Sequence, residues 1–496
     1  MKKIITVGLV LMLAFTPVSA AEGEMGYFGG VSSGKKMSTL TAQSQVKKNT
    51  VSKYTLPYKE VVYLSGKPEV VEGTITINPG KGVDKDKGIG DYTESYIVSA
   101  QNKDKTASVS RSVSFKTQYV YDAERRQTVK TSTISKWTEN VLANGQSYQL
   151  KAADSTYSKS ILEHYAPGVT YYRGDIDYTA SYTAGEDTVT VTVEGPIYGY
   201  EQAFAKTETQ KRTITIQKGE DGEGYTVYET PTITAYKDIT YGANEPDAIS
   251  FAGNYKELIR SEGVLNYELD NPHLYEDERM GSLSVQSAPI IDQLSVRDIP
   301  SMLGHPARTD VSKAYSLKLF TEEPDNFSPN QVVTREEYIT MLVKALQMPL
   351  PEIEKKSSKK VVEQSPFTDV DLEDSFYPYA KAAYDAGLIG GGRVNRGSYL
   401  TREAMYVLNI RAMGLERLGI GTAGNYTPFV DDNVISPWAK NAIYAASKIG
   451  LITVNNGYIF PTKKVTKAEC ATFLNQFLNY LRYDLQKDYN EKMLLG

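Results

Sequence analysis

From about residue 50 to 265, apolar and polar positions alternate along the chain. Thr188–Val193, Thr74–Ile77 and Thr213–Ile216 alternate strictly. Val109, Arg111, Val113, Phe115, Thr117, Tyr119 and Tyr121 fall on one side of a period-two segment, with Ser and Lys between several of them. Half-polar alternation of this kind predicts antiparallel strands with one face in water. Turn-forming clusters such as Asn78-Pro79-Gly80, Asn144-Gly145 and Gly219-Glu220-Asp221-Gly222 separate the strands. Most of the 37 tyrosines lie in this stretch, where an apolar body with a polar tip suits a half-buried surface. The expectation for 51–290 is an all-β region of one or two sandwich-like domains.

Beyond about residue 290 the period changes to 3.6. Pro378, Tyr379, Ala380, Ala383 and Tyr384 run into Gly387-Leu388, and Trp438, Ala442, Ala445 and Ile449 run into Gly450-Leu451. Both predict amphipathic helices stopped by a glycine. A short Thr-(basic) phrase follows each and opens a second helix. It occurs three times, as Thr334-Arg335-Glu336-Glu337, Thr401-Arg402-Glu403-Ala404 and Thr466-Lys467-Ala468-Glu469. The copies lie 67 and then 65 residues apart, so one supersecondary unit is used three times. Thr334, Thr401 and Thr466 are natural N-caps. Glu337 and Glu469 stand three residues on, where they can close a capping box. The second copy has Ala404 in that place. The units are assigned to 292–347, 366–414 and 428–482, with an exposed linker at 348–365 and a tail at 483–496.

Four further features bound the picture. Lys2 and Lys3, the apolar run Ile4–Phe15 and Val18-Ser19-Ala20 read as a secretory signal peptide over 1–20, too short to span a bilayer. A flexible segment is expected at 21–50. The net charge of −5 gives no general attraction to nucleic acid or to anionic lipid. A single cysteine, Cys470, excludes an internal disulfide framework and reads as a buried thiol on a helix face. The three scattered histidines offer no metal cluster or catalytic triad. Neither a metal nor a cofactor is expected.

An aromatic-acidic opening (Phe367-Thr368-Asp369, Phe429-Val430-Asp431), a helix ending at Gly-Leu-Ile, a loop, then Thr-Arg and a second helix together resemble the S-layer homology family. The resemblance covers roughly 292–482. It implies a pseudo-threefold helical trimer whose grooves hold a secondary cell-wall polysaccharide, commonly one bearing pyruvate ketals. It further implies non-covalent, peptidoglycan-associated display on a Gram-positive envelope, with other copies or other surface-layer proteins as further candidate partners.

A ketal carboxylate suits the planar donor fork of Arg, set in a first helical turn whose free backbone N–H groups also favour an anion. The polysaccharide-binding candidates are therefore Arg402, Arg335, Lys467, Glu403, Trp438 and Gly391, with Arg402 ranked first. Lys467 lacks the bidentate fork, so the third groove is expected to be weak. Trp438 is balanced between sugar stacking and core packing.

No nucleophile elbow, zinc-protease motif or phosphate-cradling loop occurs in the front half. Asp175 and Asp177 read as solvated residues in or near turns. The region is taken as a non-enzymatic structural or binding module displayed on the wall. The alternative is a wall-tethered carbohydrate-active enzyme whose catalytic domain is not recognisable from motifs.

Overall fold

A computed structural model describes residues 29–35, 37, 39, 53–219, 222, 224–241, 254–351, 364–419 and 426–488. The expected signal peptide, most of the 21–50 segment, the centre of the linker and the last residues of the tail lie outside the described residues.

Among the described residues, sixteen strands from Gly30–Ser32 to Ile290–Ser295 join in one sheet. Nearly every strand pairs antiparallel with its neighbour in the chain. The strands expected of one or two sandwich-like domains thus hydrogen-bond in one continuous sheet. A long meander twists steadily, and its first strand comes to lie against Asn254–Asp270. Gly30–Ser32 is fully buried there. A Cβ on Gly263 would fall 1.9 Å from the Ser32 carbonyl oxygen, so that approach requires glycine.

The alternating face behaves as its pattern predicts, with Val109, Val113, Phe115, Thr117 and Tyr119 all buried. Arg111 is buried among them. Its Nη2 lies 2.8 Å from Glu60 Oε1 and 2.7 Å from Glu139 Oε1, which supplies the partners that a buried guanidinium needs. The Gly80–Gly88 connection is latched down. Val83 packs with Tyr92 and Tyr119, and Lys85 Nζ sits 3.5 Å over the Tyr165 ring.

The helical part contains three helix pairs: α1 Arg308–Ser316 with α2 Arg335–Ala345, α3 Tyr377–Asp385 with α4 Arg402–Ala412, and α5 Lys440–Lys448 with α6 Lys467–Asn479. α3 and α5 stop at Gly387 (φ 76°) and Gly450 (φ 71°). α1 makes the same turn with Lys318 at φ 56°. The following leucine closes each turn alike, Leu319 N–H on Ala314 (3.0 Å), Leu388 on Ala383 (2.8 Å) and Leu451 on Ala446 (2.9 Å). A non-glycine residue in this region costs about 1–2 kcal/mol, more than the roughly 0.5–1 kcal/mol of extra unfolded-state entropy that glycine brings. Lys318→Gly is therefore expected to stabilise the chain by about 0.5–1 kcal/mol, read as a higher midpoint in urea unfolding.

Beyond α6 the described residues stay helical and packed. α6 continues through a π turn, Tyr480–Asp484, into a last helical turn, Leu485–Asp488. Leu481 and Leu485 are fully buried. Gln202 Nε2 donates to the Leu481 carbonyl at 2.7 Å, and the Arg482 guanidinium lies 4.2 Å from the Phe204 ring centre. A single buried cluster unites Val169, Tyr200, Phe204 and Ala205 of the sheet with the helices. The sheet keeps a second buried cluster of its own, around Phe115, Trp137, Val193 and Leu265, and meets the helical repeats through Val169, Tyr200, Phe204 and Ala205. None of the described helices is long and apolar enough to cross a membrane.

Candidate carboxylate-binding grooves of the helical repeats

The segment before each second helix is short and extended, and the three segments bind one another in a closed ring. Leu400 N–H donates to Val333 O (2.9 Å), Val465 N–H to Leu400 O (3.0 Å), and Val333 N–H to Val465 O (2.9 Å). The threonines follow at once. Thr334 and Thr466 cap α2 and α6 through capping boxes with Glu337 and Glu469, while Thr401 caps α4 by accepting from Ala404 N–H alone.

The ring consumes the first-turn N–H groups that were expected to attract an anion. Arg335 N–H donates to Ser398 O and Glu336 N–H to Arg396 O. Arg402 N–H donates to Lys463 O, Glu403 N–H to Pro461 O, Lys467 N–H to Gln331 O and Ala468 N–H to Pro329 O. With the cap serving the third N–H, the backbone has little left to offer a ligand. Any anion site here depends on side chains.

The three basic residues sit in equivalent places with unequal partners. Arg402 Nη2 is 3.0 Å from Glu469 Oε1, and its Nη1 donates to Ile459 O at 3.3 Å. Lys463 Nζ also reaches Glu469, at 2.7 Å. Burial raises the Glu469 carboxyl pKa, but bonds from Lys463, Thr466 N–H and Arg402 outweigh it and hold the group below its ordinary range. Lys467 is buried, 2.6 Å from Glu322 and 3.7 Å from Glu337.

Arg335 is half-buried, and among the described residues no carboxylate lies within ion-pair distance of it. Burial, and after it the like charge of Arg411, push its pKa below the ordinary guanidinium range. Arg411 is itself held by Glu416 at 3.1 Å.

The other candidates divide. Glu403 is buried, and both its oxygens accept from Ser436, at 3.0 Å from N–H and 2.9 Å from the hydroxyl. Trp438 is 58% exposed, which leaves no place for the core-packing reading. A Cβ on Gly391 would come within 3.3 Å of the Tyr384 ring. Sequence reasoning passed over Tyr399, which pairs with Thr334, is exposed, and carries Lys464 Nζ 4.3 Å from its ring centre. The signal available was positional, since Val332, Tyr399 and Lys464 stand two residues before their threonines and only one of them is aromatic.

Residues 297–339, which run from before α1 into the first turns of α2 and include Arg335, match the sequence profile of the S-layer homology domain. The chain carries an S-layer homology domain. That domain places it at the cell surface. The chain is 32% identical over 155 residues to an exoglucanase, XynX, of Acetivibrio thermocellus, which is 30% of this chain and 13% of that protein. It is 30% identical over 155 residues to an amylopullulanase of Thermoanaerobacterium thermosulfurigenes, 30% of this chain and 8% of the relative. An endoglucanase of Bacillus sp. (strain KSM-635) is 28% identical over 162 residues, 31% and 16% of the two chains. The chain thus spans between 8% and 16% of the length of these curated relatives. All three are glycoside hydrolases by name, and the reading of the chain as non-enzymatic finds no support in them.

Among the described residues the β-region has a groove with acidic lining on its strands. Asp175, Asp177, Glu194, Lys211 and Tyr228 border an open space of about 660 Å³. Asp175 and Asp177 lie within the strand Val169–Ala184 rather than in a turn. Asp177 and Glu194 stand directly opposite in the register, where side chains begin only about 4.5–5.5 Å apart. Like charges so placed are destabilising. Among the described residues no cluster of metal-binding side chains occurs.

Proposed function

We propose that the helical part holds the protein non-covalently on the cell wall by binding an acidic secondary cell-wall polysaccharide, and that the groove around Arg335 does the binding. Three S-layer homology repeats about a pseudo-threefold axis are the architecture this reading takes, and the closed ring of Val333, Leu400 and Val465 supports it. The observation that carries the reading is Arg335: a half-buried guanidinium with no carboxylate at ion-pair distance among the described residues, and with the like charge of Arg411 acting on it. A sugar carboxylate, such as that of a pyruvate ketal, supplies the missing partner in the bidentate geometry Arg prefers. Tyr399, with Lys464 over one side of its ring, offers its remaining exposed surface to the sugar that carries it. The test is co-sedimentation of the full-length chain with purified wall sacculi. Retention on intact sacculi and release from sacculi stripped of polysaccharide is the expected pair of results. Equal retention on both would overturn the reading.

For the β-region, the names of the relatives favour a carbohydrate-active role over a purely structural one. Paired carboxylates about 5–9.5 Å apart are what glycoside hydrolysis needs, and Asp177 and Glu194 are the pair to examine. On this reading the full-length protein releases reducing ends from a soluble β-glucan or from pullulan, and the Asp177→Asn, Glu194→Gln double variant does not. Absence of release from either polymer returns the β-region to the role of a displayed binding module.

A further inference from the structure

We propose that this chain presents a single open carboxylate site and that residue 404 sets that number. The proposal rests on the wall-polysaccharide reading above and deepens it.

The three units are linked cyclically by charge as well as by backbone. In the second and third units the basic residue after the threonine meets the glutamate three residues after the next unit's threonine. Arg402 of the second unit meets Glu469 of the third at 3.0 Å. Lys467 of the third meets Glu337 of the first at 3.7 Å. The cyclic order of the backbone ring, in which Arg335 N–H bonds the segment before Thr401, assigns the remaining link to Arg335 of the first unit and position 404 of the second, which is alanine. Two links of the ring are closed by the protein's own carboxylates, and one is left for a carboxylate from outside.

Counting charges at each groove sharpens the distinction. At the third, Lys467 is shared between Glu322 and Glu337, so one cation faces two anions. An incoming carboxylate is repelled there. At the second, Glu469 already bridges Arg402 and Lys463, and the Arg402 fork is committed to Glu469 and Ile459 O. A ligand must displace a carboxylate that is also tied into the α6 capping box. At the first, the guanidinium is desolvated and has Arg411 for a neighbour. A carboxylate entering there relieves an existing cost instead of competing with a formed pair. Lys467 and Arg402 therefore serve to hold the repeats together, and Arg335 is the residue left to recognise the ligand.

Two substitutions reverse the assignment without dismantling the helices. Ala404→Glu completes a Thr-x-x-Glu capping box on Thr401, so the variant is expected to melt no lower than wild type. Its carboxylate also fills the gap beside Arg335. Glu469→Gln keeps a capping side chain, since Gln serves in the box, but removes the charge that occupies Arg402.

The measurement is calorimetric titration of full-length protein with a monosaccharide bearing a pyruvate ketal, alongside sacculus co-sedimentation. One site per wild-type chain is expected. Affinity should fall about ten-fold or more in Ala404→Glu, and a second site should open in Glu469→Gln. Wild-type affinity in Ala404→Glu, or two or more sites in the wild type, overturns the proposal. If Ala404→Glu binds like wild type while Arg335→Ala does not, residue 404 loses its role and the wall reading stands. If Arg335→Ala also binds like wild type, the reading of this groove fails with it. Should Ala404→Glu not fold, the site count in Glu469→Gln decides: two sites support the proposal and one refutes it.

Discussion

Arg335→Ala is expected to release the protein from the cell wall while leaving its fold intact. A charge-assisted hydrogen bond to a partly buried group contributes about 1.5–3 kcal/mol, which is roughly 10- to 150-fold in affinity. The same substitution removes a cation from the first turn of α2, where it opposes the helix dipole, and separates two like charges. Stability should therefore stay level or rise by a few tenths of a kcal/mol. Arg402→Ala has the opposite profile. It breaks the pair with Glu469 and lowers stability, with a smaller effect on retention. Sacculus co-sedimentation and thermal melts on the two variants separate these outcomes.

Phe204→Ala is expected to cost about 3–5 kcal/mol, as a buried Phe truncation does, and to weaken the sheet and the repeats together. Phe204 is 1% exposed and belongs to the cluster that joins the two parts. Removing its ring opens a cavity beneath the π turn of residues 480–484, where Arg482 stacks on it. The chain's two tryptophans allow a direct check. Trp137 is buried in the sheet, and Trp438 is exposed on the repeats. In a Trp438→Phe background, fluorescence follows the sheet alone while circular dichroism at 222 nm follows the helices. One coincident transition, shifted as a whole by Phe204→Ala, is the expected outcome. Two transitions, only one of them shifted, would show two independent units. The shared cluster also means that the repeats should be assayed in the full chain, where Gln202 and Phe204 cover the segment that carries Leu481 and Arg482.

Much of the fold could be read where the signal is local. Period-two alternation identified the inward face from Val109 to Tyr119, and the Thr-(basic) phrases marked three helix starts. What escaped depends on neighbours distant in sequence. Arg111 looked like one polar member of an alternating strand because Glu60 and Glu139 come from other strands. Arg402 looked free because its partner Glu469 lies one full repeat further on. Lys318 hid the first helix stop by taking a left-handed turn usually given to glycine. The clue to the open groove was nonetheless on the page as Ala404, the missing glutamate. Its meaning appears only when the ring shows which arginine that glutamate would have met.

The central claim is that a carboxylate on the wall polymer meets Arg335. Co-sedimentation of the full-length protein with sacculi whose polysaccharide carboxylates have been converted to neutral amides tests it most directly, with untreated sacculi alongside. The account predicts retention on the untreated walls and loss on the amidated ones, with Arg335→Ala unretained on both. Undiminished retention on amidated walls would contradict it.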